Sequence, residues 1–324
     1  MTPESQHFLE ELKAAIEGVL FVTAGNYPLN VFVWNFEEDG EFNTSKFLQR
    51  QRYLAPIEAA DFFGLDEYLD NYQHWGVSSL NPSVHMAEKK ERALMYAQRA
   101  DKFLNFLSSH AVEFSTYRVV KYDLPIDNET SDRSVDHRLG SKTYESSRLV
   151  IGKVSDSVWL AVSSYEDWND IEYETDEKFS SAGLQQVTHQ IDERLQSIRE
   201  ASRDLVFIRR NCYDAHDEAK KLIFEVANSK AAVIDRVLYG NGFIRTCDFD
   251  SLSLQGEGMS IACPEGLADD DSYEKFVPID KLMKSYLTNL KTIFVGTHSV
   301  FDVYFVGQDF AGNWLGLSTI AVWI

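Results

Sequence analysis

Phe301-Asp-Val-Tyr-Phe-Val-Gly-Gln-Asp-Phe-Ala-Gly-Asn-Trp-Leu-Gly-Leu-Ser-Thr319 reads as two strands joined by a turn, because aromatic and β-branched residues flank a Gln-Asp-Phe-Ala-Gly-Asn segment rich in turn formers. A fainter copy stands 155 residues upstream. Without a gap, residues 149–164 lie under residues 304–319, pairing Gly152 with Gly307, Trp159 with Trp314, Leu160 with Leu315 and Ser163 with Ser318. Chance supplies about one identity in such a window, and Val150/Phe305, Ile151/Val306, Ala161/Gly316, Val162/Leu317 and Ser164/Thr319 keep their character. A shared hairpin is the economical explanation.

Working outward, Asp101-Lys-Phe-Leu-Asn-Phe-Leu107 and Asp280-Lys-Leu-Met-Lys-Ser-Tyr-Leu287 are amphipathic segments that each run into an extended stretch. Leu12-Lys-Ala-Ala-Ile-Glu-Gly-Val-Leu-Phe-Val22 resembles Ile198-Arg-Glu-Ala-Ser-Arg-Asp-Leu-Val-Phe-Ile208, a helix feeding an apolar strand. Helix, strand and hairpin thus recur in one order, which predicts two units over residues 1–165 and 184–324. Residues 166–183 form an acidic linker, and residues 123–146 are a polar insertion in the first unit. The centres of the units do not align. The expected class is α/β of the α+β type, each unit a mainly antiparallel sheet packed with helices.

Locally, Thr2-Pro3-Glu4 starts a helix that Gly18 closes, strands follow over 19–22 and 29–35, and Pro56 opens a short helix through Phe62 and Phe63. Another helix covers 65–71 and a long one 84–110. In the second unit a helix spans 184–203, with strands near 205–208, 222–226, 233–238, 242–247 and 259–263. Gly240-Asn-Gly242 is read as a tight turn, and Pro278 as the start of the last helix.

Charge narrows the function classes. Against 31 bases stand 51 acids, a net −20, so nucleic acid and anionic membranes are repelled and a basic protein is attracted. Residues 1–180 carry 31 acids and 17 bases, and residues 181–324 carry 20 and 14, so the first unit and its tail hold most of the field. The densest run is Tyr165-Glu-Asp-Trp-Asn-Asp-Ile-Glu-Tyr-Glu-Thr-Asp-Glu177, with Trp168 and Tyr173 among its acids. It serves either as a solvated linker or as an acidic and aromatic binding element presenting Glu166, Asp167, Trp168, Asp170, Glu172 and Glu174. No apolar stretch is long enough to cross a bilayer, and the acidic N-terminal segment does not read as a signal peptide. Cys212, Cys247 and Cys263 lack metal-ligand spacing and read as small hydrophobes in a reducing cytoplasm.

Signatures of catalysis are missing from the sequence. There is no Gly-x-x-x-x-Gly-Lys-Ser/Thr, Gly-x-Gly-x-x-Gly, Gly-x-Ser-x-Gly or His-Glu-x-x-His, and Asp214-Ala-His216-Asp217 reads as a solvated face. A non-enzymatic protein without cofactor or metal is expected.

The two ends of the chain resemble a known family. Leu9-Glu-Glu-Leu-Lys-Ala-Ala-Ile-Glu-Gly-Val-Leu-Phe-Val22 with Asn26-Tyr-Pro-Leu-Asn-Val-Phe-Val-Trp34 resembles the opening of the nuclease A inhibitor family. Asp302-Val-Tyr-Phe-Val-Gly through Ala311-Gly-Asn-Trp-Leu-Gly-Leu-Ser-Thr319 is similar to its close. One family length resembles about half of the chain, which suggests two diverged copies; a single domain split by a long insertion is the rival. The resemblance implies an inhibitor that plugs the basic cleft of a metal-dependent, sugar-nonspecific nuclease, acids standing in for phosphates. Its contacts transfer incompletely: Ala24 stands where the family presents an acid, and Ile324 where it ends in threonine, leaving only the terminal carboxylate. Trp75 is the implied interfacial tryptophan, with a core-packing role as its alternative. Departures at Ala24 and Ile324 leave room for a second class, an acidic DNA mimic or adaptor that binds another nucleic-acid-processing protein.

Overall fold

The computed structural model describes residues 1–22, 26–63, 82–121, 144–164, 188–205, 207–208, 218–219, 222–252, 270–296 and 300–322. Its first half holds α1 (Pro3–Ile16), β1 (Leu20–Val22), β2 (Asn26–Pro28), β3 (Asn30–Trp34), α2 (Phe36–Asp39), α3 (Thr44–Arg50) and β4 (Leu54–Ile57). A 3-10 turn (Ala59–Asp61), α4 (Pro82–His110), β5 (Glu113–Lys121), β6 (Tyr144–Ser155) and β7 (Val158–Ser164) follow. The second half holds α5 (His189–Ser202), β8 (Phe207–Ile208), β9 (Glu218–Ala219), β10 (Leu222–Ala227), α6 (Lys230–Gly240) and β11 (Ile244–Asp248). It closes with α7 (Asp270–Tyr286), β12 (Thr288–Val295), β13 (Val300–Gln308) and β14 (Trp314–Val322). Among the described residues every strand pair is antiparallel, so the class is α+β.

The repeat is visible at the level of single hydrogen bonds. Thr2 caps α1 by accepting from the Ser5 amide, and Thr188 caps α5 by accepting from the Ile191 amide, with the same extended backbone. Helix α3 ends with Gln51 N–H to Phe47 O at 2.9 Å and Arg52 N–H to Gln49 O at 3.1 Å; α6 ends with Asn241 N–H to Val237 O at 2.9 Å and Gly242 N–H to Tyr239 O at 3.2 Å. Both chains then turn through positive φ, +64° at Arg52 and +77° at Gly242. These two helix ends, which the sequence does not align, thus share a hydrogen-bond pattern. Ala111 N–H bonds Leu107 O and Leu287 N–H bonds Met283 O, so α4 and α7 correspond Leu107 to Met283, three residues away from the register that Asp101 and Asp280 suggest.

Each five-stranded sheet combines strands from both copies. One has the order β11-β12-β13-β14-β3 and the other β4-β5-β6-β7-β10. Trp314 pairs with Trp34 and Ser318 with Asn30 in the first; Trp159 pairs with Ala227 and Ser163 with Ile223 in the second, the same register at equivalent stations. The cores agree. In the first sheet's core Leu9 and Leu12 of α1 meet Ile279, Met283, Phe305, Leu315 and Leu317. In the second, Leu195 and Ile198 of α5 meet Phe103, Leu107, Val150, Leu160 and Val162. Burial of each such side chain contributes about 1.5–3 kcal/mol, so these helices are integral to their sheets.

The compact units therefore do not follow the boundaries expected from sequence order. One unit joins Met1–Asn43 to Phe243–Ile324, and the other lies between Thr44 and Gly242. The repeat is collinear, but strand pairing is not, because β3 finds its partner in the far copy. Four local expectations also change. Residues 233–238 are helical within α6, since Val233, Ile234, Val237 and Leu238 line one helical face and Ser229 caps it. Consequently Gly240-Asn-Gly242 is the end of a helix rather than a hairpin turn. Pro56 lies in β4, and Pro278 lies inside α7 rather than at its start. The strand expected at 259–263, the helix at 65–71, the linker 166–183 and most of the insertion 123–146 lie outside the described residues.

Candidate interaction surface

The hairpin whose sequence decides the fold ends in an unusual turn. Asp309, 3% exposed, accepts at Oδ1 from the amides of Ala311 (2.9 Å) and Asn313 (2.8 Å). Its Oδ2 accepts from Ser5 Oγ (2.7 Å) and Asn313 Nδ2 (2.8 Å). Asn313 Oδ1 in turn accepts from the Phe36 amide at 2.9 Å, which fixes the start of α2. Gly312, at φ +86°, lets the chain reverse, and a Cβ there would stand 3.6 Å from the Phe36 ring.

The segment Phe36-Glu-Glu-Asp-Gly-Glu-Phe42 is folded over the tryptophans of the β3–β14 pair. Trp34 Nε1 donates to Gly40 O at 2.9 Å, Phe42 stacks on Trp314 at 4.9 Å, and Phe42 meets Trp34 edge-on at 5.3 Å. Gly40, at φ +72°, ends α2. What faces water is Phe310, 72% exposed, and Phe36, 46% exposed, with exposed Glu37, Glu38 and Glu41 alongside. The α-ammonium of Met1 lies 3.2 Å from Glu37. An exposed phenylalanine at a rigid turn beside acids has the composition of a binding hot spot for a basic surface.

The equivalent end of the other unit is built differently. Val154 and Val158 stand where Asp309 and Asn313 stand, both fully buried, and Ser155 stands where Phe310 does. Trp159, the counterpart of Trp314, is flanked by Lys153 and Lys230, each ammonium 5.9 Å from its ring. The buried polar pair thus stands at the end that carries the exposed phenylalanines, and the apolar pair at the end that carries Ser155.

All the residues singled out from sequence as binding elements, Trp75, Glu166, Asp167, Trp168, Asp170, Glu172, Glu174 and Ile324, lie outside the described residues, as does Ala24. Phe36 to Phe42 and Phe310 went unnoticed, although acids bracketed by aromatics in 36–42 were a small version of the pattern in 165–177. No family model matches the chain, and no curated protein matches it either. Among the described residues no cluster of His, Cys, Asp and Glu could hold a metal ion, and no helix is long and apolar enough to cross a membrane. Cys247 is a free, half-buried thiol whose burial pushes its pKa up; Cys212 and Cys263 are outside the described residues.

Carboxyls elsewhere report packing. In the unit that bears the aromatic turn, burial raises the Asp280 pKa, against the Leu252 amide bond and Lys284, which lower it, and with Asp250, which raises it. A raised folded value favours the protonated protein: the contribution is full below the ordinary carboxyl pKa of about 4 and is lost as pH rises through the folded value. Asp280→Asn keeps an acceptor for the Leu252 amide, 3.0 Å from Oδ1. Urea midpoints across this window should show the variant gaining stability relative to the parent as pH rises.

Proposed function

We propose that this chain is a non-enzymatic, cytoplasmic inhibitor that binds a basic, metal-dependent, sugar-nonspecific nuclease through acidic and aromatic surface. The observation that carries the reading is the turn at Phe310, held by Asp309 and Asn313 against the acidic segment 36–42. The turn lies in the stretch that resembles the inhibitor family's close, the acidic segment follows directly on the one that resembles its opening, and β3 and β14 bring them side by side. Net charge of −20 steers the encounter, while a rigid aromatic supplies residence time. Because the other unit has Ser155 and lysines at its matching end, one nuclease is bound per chain.

Titrating a magnesium-dependent, sugar-nonspecific nuclease with the protein tests this directly. DNA hydrolysis should fall to zero at one chain per nuclease at low salt, and the apparent affinity should weaken as salt rises. Undiminished hydrolysis at a large excess would sink the proposal. The second reading, an acidic DNA mimic or adaptor for another nucleic-acid-processing protein, is favoured by Ala24 and Ile324, where the family's contacts are missing. It calls for displacement of DNA from a non-nuclease target.

A further inference from the structure

We propose that the two copies complete each other by donating their first segments, so that the halves of the chain are specific partners for one another. This rests on strand pairing and not on the proposed function. Strand β3 of the first copy lies beside β14 of the second, and β10 of the second lies beside β7 of the first. Helices α1 and α5 travel with these strands, placing Leu9 and Leu12 in one core and Leu195 and Ile198 in the other. Each sheet therefore takes an edge strand and a covering helix from the copy to which it does not belong. Equivalent registers mean that either segment has the backbone geometry for either station.

Side chains decide which segment goes where. Phe32 lies opposite Gly316, whose φ is +154° and at which a Cβ would stand 2.0 Å from Phe305 O. At the matching station Ala161 carries a fully buried Cβ and faces Glu225, while Trp159 faces Ala227. Were each copy to complete itself, Phe32 would meet Ala161 instead of Gly316, and Trp159 would lose Lys230, which follows β10, from its ring. Bulk is thus matched to space in the exchanged arrangement, as in a homodimer of swapped segments whose subunits were later joined end to end.

The test starts from the intact chain, with a protease site placed within residues 169–183 and the cysteines replaced, and with Asn30→Cys and Ser318→Cys added. These positions are register partners across the β3–β14 pair. After cleavage of the folded protein, the pieces should sediment together at the 37.1 kDa of the whole chain. On a non-reducing gel they should run as one disulfide-linked band. Separated in denaturant under reducing conditions, they should regain native circular dichroism when mixed and not when refolded singly. Release of two separately folded pieces on cleavage overturns the proposal. So does co-sedimentation without the disulfide between positions 30 and 318, because then the pieces adhere without exchanging strands.

Discussion

Replacing Phe310 and Phe36 together by alanine is expected to weaken binding to the basic partner by roughly 100-fold or more, without a matching loss of stability. Phe310 is 72% exposed and contributes little to the core, so truncation at such a surface position changes stability by about 0.5 kcal/mol or less. At an interface the same ring is desolvated, and aromatic anchors of this kind contribute about 2–4 kcal/mol, where 1.4 kcal/mol is tenfold in affinity. Calorimetry on the complex, with urea unfolding of the free protein as control, separates the two quantities. Charge reversal at Glu38 and Glu41 should behave differently. It slows association and flattens the salt dependence, because exposed acids act chiefly on the encounter. If both kinds of variant bind as the parent does, the binding surface lies elsewhere in the chain.

What was legible in the sequence was local. Thr2-Pro3 and the apolar stripe of Leu9 and Leu12 specify a helix because capping and periodicity act within one turn. The hairpin at 301–319 was legible for the same reason, its alternation and turn residues acting between neighbours. Val233 to Leu238 was misread because a short apolar run satisfies either period, and only Ser229 and the covering sheet resolve it. The exchange of segments was illegible in principle. Whether β3 seeks β7 or β14 depends on how Phe32 meets Gly316 or Ala161, a comparison between residues more than a hundred positions apart. The candidate surface was hidden likewise: Phe36 and Phe310 are distant in sequence, and the Asn313 side chain is what joins them.

Asp309→Ala is expected to be the most destabilising single change at the turn, at about 3–5 kcal/mol. Four donors converge on this carboxylate, and each buried donor left without an acceptor costs about 1–3 kcal/mol. Hydration can rescue the amide of exposed Ala311, but not Ser5, which is fully buried, nor Asn313, 2% exposed. The double variant Asp309→Val with Asn313→Val transplants the solution used at the other unit, where Val154 and Val158 fill the same stations. Of the four orphaned donors only the Asn313 side-chain amide is removed with its own side chain, and the Phe36 amide loses its acceptor, but the two valines restore the buried apolar volume that alanine leaves empty. The double variant should therefore be more stable than the single one by urea unfolding. Yet it should bind no better, because the Phe36 amide has lost the Asn313 oxygen that positions α2 beside Phe310. A double variant that recovered stability and binding together would reduce the polar network to a packing alternative. Recovery of stability alone would mean that Asp309 and Asn313 are kept, at some cost in robustness, to aim the exposed aromatics.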